Sequence, residues 1–231
     1  MGELRAQRAL GAHTGAPADR YALPRRRMAQ RLARSGVRDP RVLAAFAEVP
    51  RHRLLPDALA GQAYRDTALP IGDGQTISAP SVVAAMSQAL ALVGHETVLE
   101  VGTGSAYQAA ILARLAARVI SIERVPRLAA RARRHLDELG VDNAVVYLGD
   151  GSRGRPSDAP FDAIVVTAAG PSVPEPLLAQ LAIGGRLVGP FGERDEQQLL
   201  RIERVARDRY SREVIGRCRF VDLVGAHGRS A

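Results

Sequence analysis

Three carboxylates fall at the ends of successive apolar runs, and a glycine turn lies between the first two. Glu100 stands in VLEVG, just before the turn Gly102-Thr103-Gly104-Ser105-Ala106. Glu123 closes RVISIE, 21 residues after Gly102, and Asp150 closes AVVYLGD. A phosphate loop needs glycines separated by four residues and then Lys with Ser or Thr. The chain has no lysine, since all 32 of its basic residues are arginine. A dinucleotide fingerprint, G-x-G-x-x-G, would put glycine where Tyr107 stands. A carboxylate at position 100 would repel a pyrophosphate and suits a ligand with positive charge. One at the end of the next strand can accept both ribose hydroxyls, and Asp150 is placed to take an amine hydrogen of adenine. The set fits a nucleoside carrying a cationic sulfonium and an amino-acid tail, which is S-adenosylmethionine. G-x-G-x-A by itself is also what a plain tight turn looks like; five residues on three strand ends carry the reading. Ala106 reads as the first residue of the following helix, adding one methyl near the cofactor.

These acids need parallel strands with helices between them, and the pattern from Ser81 onward supplies them. Helical stretches (SVVAAMSQALALVG, AYQAAILARLAA, VPRLAARARRHLDELG) alternate with apolar strands (TVLEVG, RVISIE, AVVYLGD, FDAIVVTAA). PEPLLAQLAIGG reads as a short helix leading into the strand RLVGPFG, and residues 197–225 as two or three strands joined by turns. Repeated β-α-β units predict a doubly wound, mostly parallel α/β sheet with an antiparallel C-terminal edge. Ahead of it lie two helical patterns, PRRRMAQRLARSG and DPRVLAAFAEVP, the second opened by a capping Asp39 and Pro40. Residues 50–80 are turn-rich, and so long a loop in a compact domain is usually functional. Residues 1–20 read as a flexible arm and 21–231 as one domain, with 21–80 forming the N-terminal helices and active-site loop.

Composition narrows the classes further. Of 231 residues, 46% are hydrophobic and 4% aromatic, so the core must be built mostly from Ala, Val, Leu and Ile. The formal charge of +8 raises the question of nucleic acid. The arginines are scattered, apart from runs at 25–27 and 131–134, and no aromatic-rich basic patch accompanies them, which argues against that partner. Cys218 is the only cysteine, excluding an internal disulfide and a cysteine-based zinc cluster. No metal is expected. The opening MGELRAQRALGAHTG lacks the apolar stretch of a signal peptide, and no run of ~20 apolar residues could span a bilayer. A cytoplasmic protein that does not enter the membrane is the expectation.

With these residues in place, the chain resembles the protein-L-isoaspartate O-methyltransferases over roughly residues 40–222. The resemblance rests on AYRDTALPIGDGQTISAP, VLEVGTGSAYQAAILARL, SIER, LGDG, APFDAIVVTAA and PEPLLAQLAIGGRLVGPFG, in that order. It implies a class I, Rossmann-like methyltransferase acting on the α-carboxylate of L-isoaspartyl residues in damaged peptides and proteins. The resulting ester collapses to a succinimide, from which some normal aspartate is recovered. By the same resemblance Ser78 is the active-site serine, with Thr76 and Ile77 in its cleft. Glu100, Gly102, Thr103, Gly104 and Ser105 surround the methionine part of the cofactor. Glu123 and Arg124 lie by the ribose, and Asp150 and Gly151 by the adenine. Ser81, Arg219, Phe220 and Val221 border the substrate. The chain departs from the family pattern at Ala106 (a third glycine), Ser81 (often histidine), Asp222 (proline) and Ser152 (a larger residue). These departures leave open a relative that methylates one dedicated peptide.

The implied chemistry asks little of the protein. Methyl transfer is an in-line displacement, and the nucleophile must be held about 3 Å from the methyl. A carboxylate is already ionised at pH 7, so no general base is needed. No histidine has an orienting partner visible in the sequence. Ser78 is read as hydrogen-bonding the substrate carboxylate, the alternative being that it caps the helix near Pro80. A nucleic-acid amino-methyltransferase would need an Asn/Asp-Pro-Pro-aromatic loop where TAAGPSVPE stands. A cofactor-binding scaffold without activity is the remaining reading, prompted by Ala106.

Overall fold

A computed structural model gives the fold of residues 19–230. The arm expected over 1–20 therefore lies, for residues 1–18, outside the described residues. The chain opens with α1 (Ala22–Arg34), whose Met28, Ala29 and Leu32 are buried while most of its arginines face out. α2 (Pro40–Glu48) begins where Asp39-Pro40 predicts, with the Asp39 carboxylate accepting from the backbone N–H of Arg41 at 2.8 Å. Two short 3-10 turns (Arg51–Leu54 and Asp57–Gln62) follow. A hairpin of β1 (Leu69–Gly72) and β2 (Gln75–Ile77) comes next. Its tip, Gly72-Asp73-Gly74, has positive φ at all three residues, and Asp-Gly tolerates such a turn best.

The core alternates as expected: α3 (Pro80–Ala89), β3 (Thr97–Val101), α4 (Tyr107–Leu112), β4 (Arg118–Glu123), α5 (Pro126–Glu138), β5 (Ala144–Leu148), β6 (Phe161–Val166) and α6 (Glu175–Ala179). The long strands β7 (Leu181–Glu193), β8 (Glu196–Ala206) and β9 (Arg209–Cys218) complete it. The sheet order is β5-β4-β3-β6-β7-β8-β9. Strands β3 to β7 pair in parallel, and β8 and β9 add antiparallel. Alternate residues along each strand feed opposite cores. Val98, Val119 and Val165 join the helices α1 to α5 on one face, and Leu99, Ile120 and Ile164 join Phe161, Leu177 and Leu223 on the other. From β3 the chain winds to one edge, then returns to β6 on the other side. The switch lies between the carboxyl ends of β3 and β6, where open α/β sheets bind their ligands.

Several boundaries differ from the sequence pattern. α3 ends at Ala89 rather than Gly94. Arg201 of β8 donates to the Ala89 carbonyl at 3.0 Å and Arg186 of β7 to that of Ala91 at 3.0 Å, so the sheet caps this helix. α4 ends at Leu112, where the Asn143 amide collects the carbonyls of Ala113 and Ala116. Ala182–Gly185, read as helix, belongs to β7 and carries an irregular register against β6. The tail gives two strands and then an isolated bridge from Asp222 to Ala169.

Candidate active site

The glycine turn is built by close approach. Gly102 has φ +99°, and a Cβ there would lie 2.5 Å from the Thr167 hydroxyl oxygen at the end of β6. The Gly102 carbonyl accepts from that hydroxyl at 2.5 Å, and the Gly102 N–H donates to the Ile122 carbonyl at 2.9 Å. Glu123 holds the turn from the β4 side. One of its oxygens accepts from the Gly104 N–H at 2.8 Å, the other from the Val125 N–H at 2.9 Å. Each oxygen retains a lone pair, and Glu123 faces the cleft.

Glu100 lies behind the turn. It is fully buried and accepts from the Ser121 hydroxyl, which in turn is 2.5 Å from the Thr103 hydroxyl. Its other oxygen has no partner among the described residues. Burial pushes the Glu100 carboxyl up to about 8, and the nearby charge of Glu123 adds to the rise, while the Ser121 hydrogen bond opposes it. Ala106 is not the first helical residue. It precedes α4 in the left-handed region, at φ 70° and ψ 14°, which is what the third glycine of the family pattern would occupy without strain. Its methyl is buried in the core and is absent from the cleft wall.

The cleft encloses about 870 Å³ of space, counting the solvent at its open mouth. One wall is the turn, Gly102 to Ser105, with Glu123, Arg124 and Gly151. Opposite lie Thr76, Ile77 and Ser78, and Phe220 and Val221 close the rim. The hairpin is fixed over the turn, since Arg131 of α5 donates to the Ile71 carbonyl. The Ser78 hydroxyl reaches this cleft and bonds no group of the protein among the described residues. It does not cap α3, because the cap position is Ala79, without a side-chain bond. The capping carboxylate comes instead from Asp66, which accepts from the Ser81 N–H at 2.9 Å.

Four expected site residues stand apart from the lining. Glu100 lies beneath the turn, Ser81 faces the Asp66 side, and Arg219 is exposed just past the end of β9. Asp150 is engaged by the protein itself. It accepts from the Ser152 N–H and hydroxyl, at 3.0 and 2.6 Å, and from the Ala226 N–H at 2.8 Å. These bonds hold its carboxyl below the ordinary carboxylate range, against the opposing effect of burial. Asp222 lines the cleft but is paired with Arg194 at 2.8 Å and Arg229 at 3.2 Å. The sequence reading did not single out Thr167 or the wall residues Tyr107, Gln108 and Met86. Thr167 could have been found as the polar residue ending an apolar strand; the others look like ordinary helix positions. Among the described residues, no group of three or more His, Cys, Asp or Glu is arranged to hold a metal ion. No helix among them is long and apolar enough to cross a membrane.

Residues 24–228 match the sequence profile of the Protein-L-isoaspartate(D-aspartate) O-methyltransferase (PCMT) family. The chain belongs to this family. It is 52% identical over 215 residues to the protein-L-isoaspartate O-methyltransferase of Syntrophus aciditrophicus (strain SB), covering 92% of this chain and 99% of that one. To protein-L-isoaspartate O-methyltransferase 1 of Syntrophobacter fumaroxidans (strain DSM 10017 / MPOB) it is 54% identical over 197 residues, 85% and 92% of the two chains. A solved protein-L-isoaspartate O-methyltransferase matches with a TM-score of 0.79 and 29% identity, over 88% of this chain and 67% of that one. A Plasmodium falciparum chain solved with S-adenosyl-L-homocysteine shares the fold, with a TM-score of 0.76 and 24% identity over 87% and 98% of the chains. In this member of the family Glu123 braces the Gly102–Gly104 turn, and the left-handed position 106 is alanine.

Proposed function

We propose that this chain transfers a methyl group from S-adenosylmethionine to the α-carboxylate of L-isoaspartyl residues in damaged peptides and proteins. We assign it to the cytoplasm, as one methyltransferase domain over residues 21–231. The observation that carries the reading is the meeting, in one cleft, of the glycine turn with Ser78, whose hydroxyl no group among the described residues engages. The family match over residues 24–228 supplies the reaction class.

The site fits the cofactor on two counts. The Gly102–Ser105 turn forms one wall of the cleft at the switch between β3 and β6, and Glu123 on that wall presents a carboxylate with a spare lone pair on each oxygen. When bound, S-adenosylmethionine supplies an electrophilic methyl on a positively charged sulfur. Gly102, Thr103, Gly104 and Ser105 shape the turn against which it lies. Glu123 accepts from the ribose hydroxyls, beside Arg124, and Gly151 lets the adenine end approach. Thr76, Ile77 and Ser78 form the substrate side, with Ser78 donating to the carboxylate that is methylated, and Phe220 and Val221 border the peptide. Asp222 contributes structure rather than selectivity, since two arginines already neutralise it. That pairing takes away one motive for a dedicated-peptide reading. Incubation with labelled cofactor and two peptides differing only in Asp against L-isoaspartate tests the proposal. Label on the isoaspartyl peptide alone supports it; label on neither, or on RNA, refutes it.

A further inference from the structure

A second concavity lies between α1 and the loop that follows the second 3-10 turn. It is open to solvent, and its walls carry Arg27, Arg31 and Arg65 together with Tyr21, Tyr64 and Asp66. The charge is concentrated here. Residues 19–66 contain eleven arginines and five acids. Arg27 and Arg31 are four apart on α1, so they share one helix face and repel each other. Arg27, Arg31 and Arg65 are exposed, and among the described residues no carboxylate lies within ion-pair distance of any of them. Arg31 gives one N–H to the Tyr64 carbonyl at 2.5 Å, which leaves its other donors unused. Asp66, the acid of the groove, is already committed to the α3 cap through Ser81. Among the described residues these three cations have no carboxylate partner.

The groove is joined to the reactive cleft through Asp66. Its bond to the Ser81 N–H lies three residues along the chain from Ser78. An extended polypeptide advances about 3.3–3.6 Å per residue. The short segment from Ser78, on the cleft, to Ser81, bonded to Asp66 on the groove, thus links the two linings.

We propose, building on the function above, that this groove is a second docking site for the substrate polypeptide. It takes acidic side chains lying about three to six residues from the isoaspartyl residue. Carboxylates fit a set of guanidinium forks bidentately, and the tyrosine rings offer the adjacent aliphatic stems an apolar surface. Exposed ion pairs are weak singly and screened by salt, so the effect resides in KM and vanishes at high ionic strength.

The test uses two isoaspartyl peptides that differ only in carrying Glu or Gln at the flanking positions. For the unaltered protein at low salt we expect a KM about three- to tenfold lower for the Glu peptide, with equal kcat, and no difference near 0.5 M salt. Arg27→Gln with Arg65→Gln should remove most of the preference while leaving the Gln peptide's kinetics unchanged. That double variant keeps the Arg31–Tyr64 bond; adding Arg31→Gln should abolish the remainder. Equal KM for the two peptides, or a preference that survives all three substitutions, overturns the proposal. Failure to methylate either peptide would refute the activity instead. In that case the fluorescence anisotropy of the labelled Glu peptide, with and without the substitutions, still decides the groove. Tighter binding of single-stranded RNA than of the Glu peptide in that assay would assign the groove to nucleic acid and overturn the proposal.

Discussion

The guanidinium of Arg51 sits 4.7 Å from the centroid of the Tyr107 ring, and both side chains are fully buried. Arg51 donates to the Ala63 carbonyl at 2.8 Å and, more weakly, to that of Thr67 at 3.4 Å. It thereby pins the loop that runs on into the β1–β2 hairpin and Ser78. Tyr107 forms part of the cleft wall. One buried cation thus supports both sides of the site. Its position is costly, since burial lowers the guanidinium pKa to about 10, with Tyr107 and Asp66 opposing the fall. Removing it leaves the loop carbonyls without donors. Arg51→Ala should destabilise the protein by about 3 kcal/mol in urea titration. Arg51→Met, which refills the space, should cost less than half of that. Equal losses would show that the guanidinium's hydrogen bonds and ring contact, not packing, set the requirement.

Ser78→Ala is expected to lower kcat on an isoaspartyl peptide by about 10- to 150-fold, the worth of a hydrogen bond to a charged group. Its melting temperature should match the unaltered protein, because the hydroxyl bonds nothing among the described residues and Ala79 is the cap position. Asp66→Ala should do the reverse on stability, losing about 1 kcal/mol with the α3 cap. Cofactor affinity measured by calorimetry should stay within about twofold for Ser78→Ala.

The raised Glu100 carboxyl predicts a pH dependence of stability. Its ordinary value is 4.5 and its folded value about 8. Between the two the folded state binds the extra proton, so the contribution is complete below 4.5 and is lost as pH rises toward 8. Thermal melting of the cofactor-free protein should therefore fall across this window. Glu100→Gln, which keeps the Ser121 contact and cannot ionise, should flatten the profile. An unchanged slope in the variant would place the titrating group elsewhere.

Ala106 was legible in the sequence as an anomaly, but its meaning was not. Spacing marks it as the missing glycine; only the backbone shows that it occupies the left-handed region with its methyl in the core. Left-handed alanine costs roughly 1–2 kcal/mol. Glycine would relieve this at the expense of roughly 1 kcal/mol in backbone freedom and of one buried methyl. Ala106→Gly should accordingly leave stability within about 1 kcal/mol of the starting value, with cofactor affinity unaltered because the methyl lies outside the cleft.

The glycine turn, the acid that ends β4 and the alternation of strands and helices were readable because residue type and local spacing dictate them. Strands end in small or acidic residues, and alternation tells them from helices. What escaped depends on groups far apart in the chain. Asp66 caps a helix 15 residues on, and Asp150 is held by Ala226, 76 residues away. Asp222 is neutralised by Arg194, 28 residues upstream. The early end of α3 is set by arginines of β7 and β8. Each is a polar bond between elements, and no periodicity announces such a bond. The expectation for Ser78 held two readings, function or cap, and the position of Asp66 removes the second.

Gly102 gives the sharpest test of how the turn is made. Two separate causes exclude a side chain there: φ of +99°, and the Thr167 hydroxyl oxygen 2.5 Å from where a Cβ would stand. The first is intrinsic to the backbone, and the second belongs to the neighbour. Gly102→Ala should thus destabilise the fold by at least 2 kcal/mol and abolish measurable cofactor binding. Thr167→Ala alone removes the hydroxyl that bridges to the Gly102 carbonyl and should cost about 1 kcal/mol. If the contact contributes, the double variant will be more stable than the sum of the single losses, since the clash has gone. It will still fall short of the unaltered protein by the strain of a left-handed alanine. Strict additivity in urea titration would mean that φ alone dictates glycine, and that β6 is not what presses the turn into shape.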